Sequence, residues 1–162
     1  MAEPAPGMIV AKPTREAPPE LQQRIRAVPF KVLVDAFVAQ VVSGDHVGAI
    51  RDWYHDDAWM QENQAPPRTG GREALMSQEA AMLAASEHVQ TELLGGPVID
   101  GDTVTIRWRF TFRLKNGSTL RQEEVAWQTW RGDKVATETF FYDPGQRTQS
   151  GSSDAASGDA DR

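Results

Sequence analysis

Glutamate side chains close to aromatic residues are the groups of this sequence best suited to chemistry. Glu62 ends a short apolar stretch, and Glu138 lies shortly before Phe140 and Tyr142 at the end of the last apolar segment. A carboxyl group acts as a general acid or base when an apolar wall raises its pKa toward the working pH. The aromatic residues available for such a wall are Trp53, Trp59 and Phe140. These residues predict acid/base chemistry.

The inward faces of the last two predicted strands decide which carboxyl groups meet. On the final strand, Glu138, Phe140 and Tyr142 share a face. The strand before it offers two faces, namely Glu123, Val125, Trp127 and Thr129, or Glu124, Ala126 and Gln128. If the first face is inward, Glu62, Glu123, Glu138 and Tyr142 meet, and at least one carboxyl group holds a proton near neutral pH. Such a pair suits hydration, dehydration or epoxide opening. A slip of one residue puts the second face inside.

Helical periodicity occupies the first half of the chain. Residues 29–42 carry an apolar stripe that begins with Pro29 and ends before Ser43-Gly44. Asp45 caps a second predicted helix over residues 46 to about 54, with His46 expected on its surface. Residues 72–86, dense in strong helix formers, predict a third helix, and residues 21–27 predict a short helical turn.

Alternation with a period of two follows His88. The clearest strand is 103–114, whose large apolar residues are Val104, Ile106, Trp108, Phe110 and Phe112. Further strands are predicted over 58–62, 89–94, 119–130 and 134–142, with a bulge or kink at residues 95–97 and hairpin turns at 100–101 and 116–117. Helices followed by hairpin-linked strands predict an α+β domain with the helices on one side of an antiparallel sheet.

Charge and composition exclude several classes of function. The net charge is -6, from 17 basic and 23 acidic residues, which argues against general binding to nucleic acid or to anionic membrane. The chain has no cysteine, so disulfides, thiol catalysis and thiolate metal sites are excluded. No apolar run has the length of a membrane span, and no secretory signal is visible. We therefore expect a cytoplasmic protein.

The two ends of the chain differ in composition from the middle. Residues 1–19 are rich in Pro, Ala and Glu, and residues 144–162 are rich in Gly, Ser and Asp. Neither end has enough apolar surface to offset the entropy lost on ordering, so both are expected to be disordered tails. A single folded domain is predicted over residues 20–143.

Four short motifs resemble one superfamily in their order and spacing. They are Ser43-Gly44-Asp45, the segment 53–58 with Asp56-Asp57-Ala58, the segment 71–75 that begins Gly71-Arg72, and Gly132-Asp133-Lys134-Val135. Over about residues 28–143 the chain resembles the nuclear-transport-factor-2-like superfamily, in its SnoaL-like and ketosteroid-isomerase-like branches. The resemblance implies a cone: a curved antiparallel sheet packed on three N-terminal helices, known as a cystatin-like α+β roll. It also implies a ligand pocket between helices and sheet, and a homodimer through the outer sheet face.

The resemblance assigns roles residue by residue. Glu62 falls at the general-base position of the ketosteroid isomerases and is therefore the first catalytic candidate. Their oxyanion-binding tyrosine falls at Phe37, and their aspartic acid near Val125 or Ala126, so no proton donor stands at either position. The acid/base aspartate of the SnoaL-like cyclases falls at Phe140. The standard isomerase and cyclase mechanisms are therefore not expected.

The predicted site combines these observations. The catalytic candidates are Glu62, Glu138 and Tyr142, and the substrate-binding candidates are Phe37, Trp53, Trp59, His88, Trp108, Phe110, Trp127 and Phe140. No metal site and no cofactor are predicted. We expect a SnoaL-like protein that binds a small, mostly apolar organic ligand, with acid/base chemistry of the isomerase, cyclase, dehydratase or hydrolase type. The alternatives are a non-catalytic binding or dimerisation module, or the small subunit of a larger enzyme.

Overall fold

Three helices precede and interrupt the sheet. The computed structural model describes residues 29–147. The helices are α1 (Phe30–Val42), α2 (His46–Trp53) and α3 (Gly71–Ala84). Gly44, with a φ of 89°, ends α1 in a conformation that favours glycine, and the Asp45 carboxylate accepts a hydrogen bond from the Gly48 amide to cap α2. The helical turn predicted over 21–27 lies outside the described residues, as do the predicted tails except for residues 144–147.

Five strands form a single sheet. They are β1 (Tyr54–Glu62), β2 (Ser86–Asp100), β3 (Thr103–Leu114), β4 (Thr119–Arg131) and β5 (Lys134–Phe141). The order across the sheet is β1-β5-β4-β3-β2, in which β1 lies parallel to β5 and every other pair is antiparallel. The sheet is therefore mixed, and the prediction of a wholly antiparallel sheet is wrong at β1: no hairpin joins β1 to β5, and the two strands run parallel. The predicted α+β class, with three helices on a curved sheet, is confirmed.

The core lies between the helices and the sheet face that they cover, which we call the inner face. Val34 and Phe37 of α1 pack in one cluster with Val104 and Ile106 of β3, and all four are buried. The alternation predicted for β3 is confirmed, since its even-numbered side chains are directed inward. Each such buried side chain contributes about 1.5–3 kcal/mol of hydrophobic stabilisation.

The face of β4 that points inward is not the one that carries Glu123 and Trp127. Its buried residues are the even-numbered Gln122, Glu124, Ala126, Gln128 and Trp130. Trp127 is 51% exposed on the outer face, so its predicted place inside is wrong, and the alternative facing is confirmed. The hairpin at residues 115–118 explains this facing: it pairs Leu120 with the inward Phe112, and each second residue after Leu120 then points inward.

An extra residue in β5 changes which of the following side chains point toward the inner face. Thr137 pairs with Thr129 of β4, but the next pair joins Val135 to Trp130, which leaves Ala136 as a bulge. As a result Val135 and Glu138, three residues apart, are both buried on the inner face. The bulge therefore places the Glu138 carboxyl group inside the domain.

The chain beyond β5 stays close to the sheet. Residues Pro144–Arg147 form a single 3-10 turn. The Gln146 side chain accepts a hydrogen bond from the Glu123 amide (2.8 Å) and donates one to the Glu123 carbonyl (3.1 Å), past the end of β5. In the part of the chain that the structure describes, no helix has the length and apolar character needed to cross a membrane.

Candidate functional site

A cavity of about 330 Å³ lies between the three helices and the inner face of the sheet. Most of its wall is apolar, and the aromatic part consists of Phe37, Tyr54, Trp108, Phe110, Phe112 and Phe140. Phe110 lies 6.2 Å, between ring centroids, from both Trp108 and Phe112, so β3 contributes a continuous run of rings. The polar groups in this wall include four carboxyl groups, those of Glu62, Glu79, Glu124 and Glu138.

Glu138 lies at the most buried end of the cavity. Its side chain is 2% exposed, and both of its carboxyl oxygens accept hydrogen bonds. Tyr54 donates its hydroxyl proton to Oε2, and Gln128 donates from Nε2 to Oε1 at 2.7 Å. Trp130 Nε1 in turn donates to Gln128 Oε1 at 2.9 Å, which orients the amide. Burial nevertheless raises the pKa of Glu138 to about 7, against the opposing effect of these hydrogen bonds.

Glu124 is the second buried carboxyl group of the wall. It is 8% exposed and accepts one hydrogen bond, from Gln122 Nε2 to Oε2 at 2.5 Å. The pKa of Glu124 is raised to about 7. Burial is the main cause and the nearby Glu138 adds to it, whereas the Gln122 hydrogen bond and the Arg147 charge oppose the shift. Two carboxyl groups that titrate near neutrality therefore share one apolar cavity.

A buried histidine lies on the helix side of the cavity. His46 is 7% exposed, so its predicted surface position is wrong. It starts α2, and the first turn of that helix faces β2 and α3 rather than solvent. His46 Nε2 lies 2.8 Å from Thr91 Oγ1, and Nδ1 lies 3.3 Å from Glu79 Oε1. Phe110 meets the imidazole edge to face at 5.8 Å, so this histidine is both packed and hydrogen-bonded.

Glu62 lies at the more exposed end of the cavity, which we call the mouth. Arg68 contacts Oε1 of Glu62, Arg147 lies 3.7 Å from Oε2, and the Tyr142 hydroxyl donates to Oε2 at 2.5 Å. The Arg147 guanidinium also stacks over the Tyr142 ring at 4.8 Å. Glu62 thus has polar, cationic neighbours in place of the apolar wall that the sequence predicts for it.

The predicted site residues divide into two groups. Those that line the cavity are Glu62, Glu138, Phe37, Trp108, Phe110 and Phe140. Tyr142 does not line it but is bound to Glu62 at the mouth. Trp53 packs against Trp130 outside the wall and donates to Gln40 Oε1, and Trp59 is half-buried on β1. Both lie outside the cavity.

His88 and Trp127 are the two predicted ligand contacts that the structure corrects most clearly. His88 is exposed on β2, opposite Arg113, because the register of β2 shifts between Ser86 and His88. Trp127 points to the outer face, because β4 presents its even-numbered residues inward. Neither side chain contributes to the cavity wall.

Several polar groups of the cavity are not among the predicted site residues. Tyr54 falls in the predicted second helix, but it begins β1 and binds Glu138. Glu79 lies on α3, where nothing in the helix pattern distinguishes it from exposed glutamates. Glu124 belongs to the alternative facing of β4, and the hairpin at 115–118 was the signal that favours it.

Fold and cavity together define a cone-shaped α+β roll with a cavity between its helices and its sheet. Residues 34–138, well over half of the 162-residue chain, match the family model described as SnoaL-like domain. The chain therefore belongs to the SnoaL-like domain family, and its resemblance to the nuclear-transport-factor-2-like superfamily is confirmed. Among functionally curated proteins, none matches this chain.

Solved structures share this fold at low sequence identity. A protein of ketosteroid-isomerase-like fold from Catenulispora acidiphila, in complex with trimethylamine, is 22% identical with a TM-score of 0.61, covering 74% of this chain and 92% of its own. A cystatin-fold protein from Novosphingobium aromaticivorans is 23% identical with a TM-score of 0.60, covering 70% and 98%. TerC, co-crystallised with polyporic acid, is 14% identical with a TM-score of 0.62, covering 76% and 98%. At these identities the likeness shows the fold alone.

Proposed function

We propose that this protein binds a small, mostly apolar organic molecule in the cavity and performs acid/base chemistry on it with Glu138 and Glu124. The observation that carries the proposal is the pair of buried carboxyl groups, each with a pKa of about 7, in a cavity with aromatic walls. Near neutral pH such a pair holds both a proton to donate and a carboxylate to accept one. This is the requirement for isomerisation, cyclisation, dehydration or hydrolysis.

The size and lining of the cavity set the ligand class. A volume of 330 Å³ lies at the small end of the range of about 300–1,000 Å³ that ligand pockets occupy. The run of rings on β3 offers flat apolar contact, so a compact molecule with an aromatic or alicyclic body fits best. The crystallisation of two proteins of this fold with small organic molecules, trimethylamine and polyporic acid, supports a ligand of this general kind.

The leading catalytic residue in this proposal is Glu138, whereas the sequence favoured Glu62. The carboxyl oxygens of Glu62 are engaged by the arginines at the mouth and by the Tyr142 hydroxyl, whereas Glu138 lies inside the apolar cavity. Tyr54 and Gln128 fix the orientation of the Glu138 carboxyl group. Tyr142 acts through Glu62, as a positioning residue at the mouth.

Binding is tested with 2-tetralone, a compact neutral aromatic ketone, by quenching of tryptophan fluorescence. Ala49 is 2% exposed and lines the cavity, so Ala49→Leu should fill part of it and weaken binding about tenfold or more. Ala36→Leu, at an exposed position on α1, is the matched control and should bind as the unmodified protein does. Equal affinity in Ala49→Leu, or no saturable binding, would refute a ligand site here.

Chemistry is tested with the same ketone, by NMR measurement of deuterium exchange at its α-carbons in heavy water. We expect catalysed exchange that Glu138→Gln and Glu124→Gln each lower by about 100-fold. Glu123→Gln, on the outer face of the same strand, serves as the control. Saturable binding with exchange at the buffer rate would remove the acid/base part of the proposal and favour a non-catalytic binding module.

We propose, second, that two copies of the chain associate through the outer face of the sheet. Trp127, Phe141 and Val98 are exposed there by 51%, 47% and 65%, which is apolar surface that a partner would cover. Light scattering after size exclusion should give the mass of a dimer, and Trp127→Asp should give the mass of a monomer. A monomeric unmodified protein contradicts this proposal, whereas a stable dimer argues against a small-subunit role in a larger enzyme.

A further inference from the structure

The buried part of the cavity is acidic. Glu79, Glu124 and Glu138 line it; His46 pairs with Glu79, and Arg147 reaches from the mouth to donate from Nε to Gln122 Oε1 at 2.8 Å. The two arginines of the wall, 36% and 46% exposed, lie at the mouth and are bound to Glu62. The net charge of the buried part is therefore negative whenever its carboxyl groups ionise.

Glu124 has an unused oxygen in this acidic region. Gln122 donates to Oε2, and no hydrogen bond or ion pair in the described part of the chain reaches Oε1. The residue is more than nine-tenths buried and lines the cavity. Ser86 Oγ, also in the wall, is buried and has no hydrogen-bond partner in the same part of the chain. A ligand that brings N–H donors can bind the Glu124 oxygen from the cavity, and it can also give a partner to the buried Ser86 Oγ, which is costly to leave without one.

Aromatic residues are the cross-strand neighbours of Glu124 and Gln122. In the β3–β4 register Trp108 is the partner of Glu124, and Phe110 is the partner of Gln122. Partners on adjacent strands have side chains within about 5.5 Å of each other on the same face. Ring faces attract cations, by about 0.5–2 kcal/mol depending on desolvation. The aromatic run and the carboxyl group thus both favour a positively charged group on the ligand.

We propose that the ligand of this cavity is a protonated organic amine whose ammonium group binds the free oxygen of Glu124 and whose apolar body lies on the Trp108–Phe110–Phe112 rings. The proposal rests on the proposed function, because it assumes that the cavity binds a small organic molecule. What it adds is that this molecule carries a positive charge. A carboxylate ligand would face three acidic side chains, and the arginines of the wall are already engaged, Arg68 with Glu62 and Arg147 with Glu62 and Gln122. A neutral ligand would leave the Glu124 oxygen without an ionic partner.

Binding of such a cation is linked to protons. Burial raises the pKa of Glu124 to about 7 in the empty cavity, so below that pH the amine must displace a proton. The titratable or charged groups around it are His46 on α2, Glu79 on α3, Glu138 on β5 and Arg147 in the 3-10 turn. Affinity for the amine should therefore fall as pH decreases through 7. An isosteric neutral ligand displaces no proton and should show no such loss.

The test uses isothermal titration calorimetry with 2-phenylethylamine, its neutral isostere 2-phenylethanol, and phenylacetate. The amine keeps its charge throughout, because its pKa lies near that of lysine, about 10.4. Near pH 8 it should bind at least about tenfold more tightly than the alcohol, and phenylacetate should bind more weakly than both. Between about pH 8 and about pH 5 its affinity should fall by up to about 100-fold, with proton release seen as a dependence on buffer ionisation enthalpy.

Variants separate this proposal from the broader one. Glu124→Gln should remove the preference for the amine and leave 2-phenylethanol binding unchanged, whereas Glu123→Gln should alter neither. Equal binding of amine and alcohol by the unmodified protein, with no pH dependence, would overturn the cation proposal and leave the ligand site standing. Failure of all three compounds to bind would count against both. The pH series on the unmodified protein decides the matter even if Glu124→Gln does not fold.

Discussion

Replacement of Glu138 by glutamine should make the protein more stable at neutral pH. Burial raises the pKa of this carboxyl group from its ordinary 4.5 to about 7, so the folded protein holds a proton there that the unfolded chain has released. Between those two pH values the folded state binds more protons, and the free energy of unfolding therefore falls as pH rises. Above pH 7 the full cost is present, and it corresponds to about 3 kcal/mol.

Glutamine has the shape of glutamate but carries no charge to desolvate. Its amide oxygen can accept from Gln128 Nε2, and its amide nitrogen can donate to the Tyr54 hydroxyl oxygen, so both present partners are retained. We therefore expect Glu138→Gln to raise the free energy of unfolding near pH 8 by about 1–3 kcal/mol, after allowance for imperfect hydrogen-bond geometry. Near pH 4 the unmodified protein and the variant should have nearly equal stability.

Urea unfolding followed by tryptophan fluorescence, at several pH values from about 4 to about 8, measures this difference. Glu123→Gln is the matched control: the pKa of Glu123 is lowered by its hydrogen bonds to Arg109 and Arg107, so its loss should not stabilise the protein at any pH. A variant less stable than the unmodified protein near pH 8 would refute the reasoning. It would mean that the hydrogen bonds from Tyr54 and Gln128 outweigh desolvation and hold Glu138 ionised.

Two further changes test the local structure, both by urea unfolding. Asp45→Ala removes the side-chain cap of α2 and should lower the free energy of unfolding by about 1 kcal/mol. The control, Asp35→Ala, breaks an exposed ion pair of α1 and should lower it by under about 0.5 kcal/mol. Equal losses in the two variants would show that the cap contributes nothing specific. Gly71→Ala should cost more than about 1 kcal/mol, because φ is 73° and the new Cβ would lie 2.2 Å from the Asp56 carbonyl oxygen. Gly117→Ala is the control, because φ there is 85° but the space around it is open. An equal loss of stability in both variants would show that the contact with Asp56 contributes nothing.

The fold could be predicted because its strongest patterns are local. Strict alternation in β3 and the helical stripe of α1 each bury one face, and the turn residues at 116–117 join the strands as expected. The parallel position of β1 could not be read in this way. Its pairing with β5 joins segments about 80 residues apart, and no turn motif specifies it.

The site was harder to predict because β4 places three polar side chains inside and its Trp127 outside. Gln122, Glu124 and Gln128 are buried, whereas Trp127 is exposed, so hydrophobicity alone favours the wrong face. The inward amides are tolerated because they bind neighbours: Gln128 binds Glu138, and Gln122 binds Glu124. Such mutual pairing depends on the three-dimensional register and has no signature in the order of the residues.

The single unpaired residue at Ala136 has a consequence for how this cavity could arise or be lost. If β5 paired regularly with the same residues, Ala136 would lie opposite Thr129 and Thr137 opposite Gln128, so that Thr137 would replace Glu138 in the interior. The same scaffold could thereby exchange an ionisable interior for a neutral one without a substitution at any position of the cavity wall. In families that diverge in chemistry while keeping their shape, the gain or loss of one such bulge changes the reactive group in a single step.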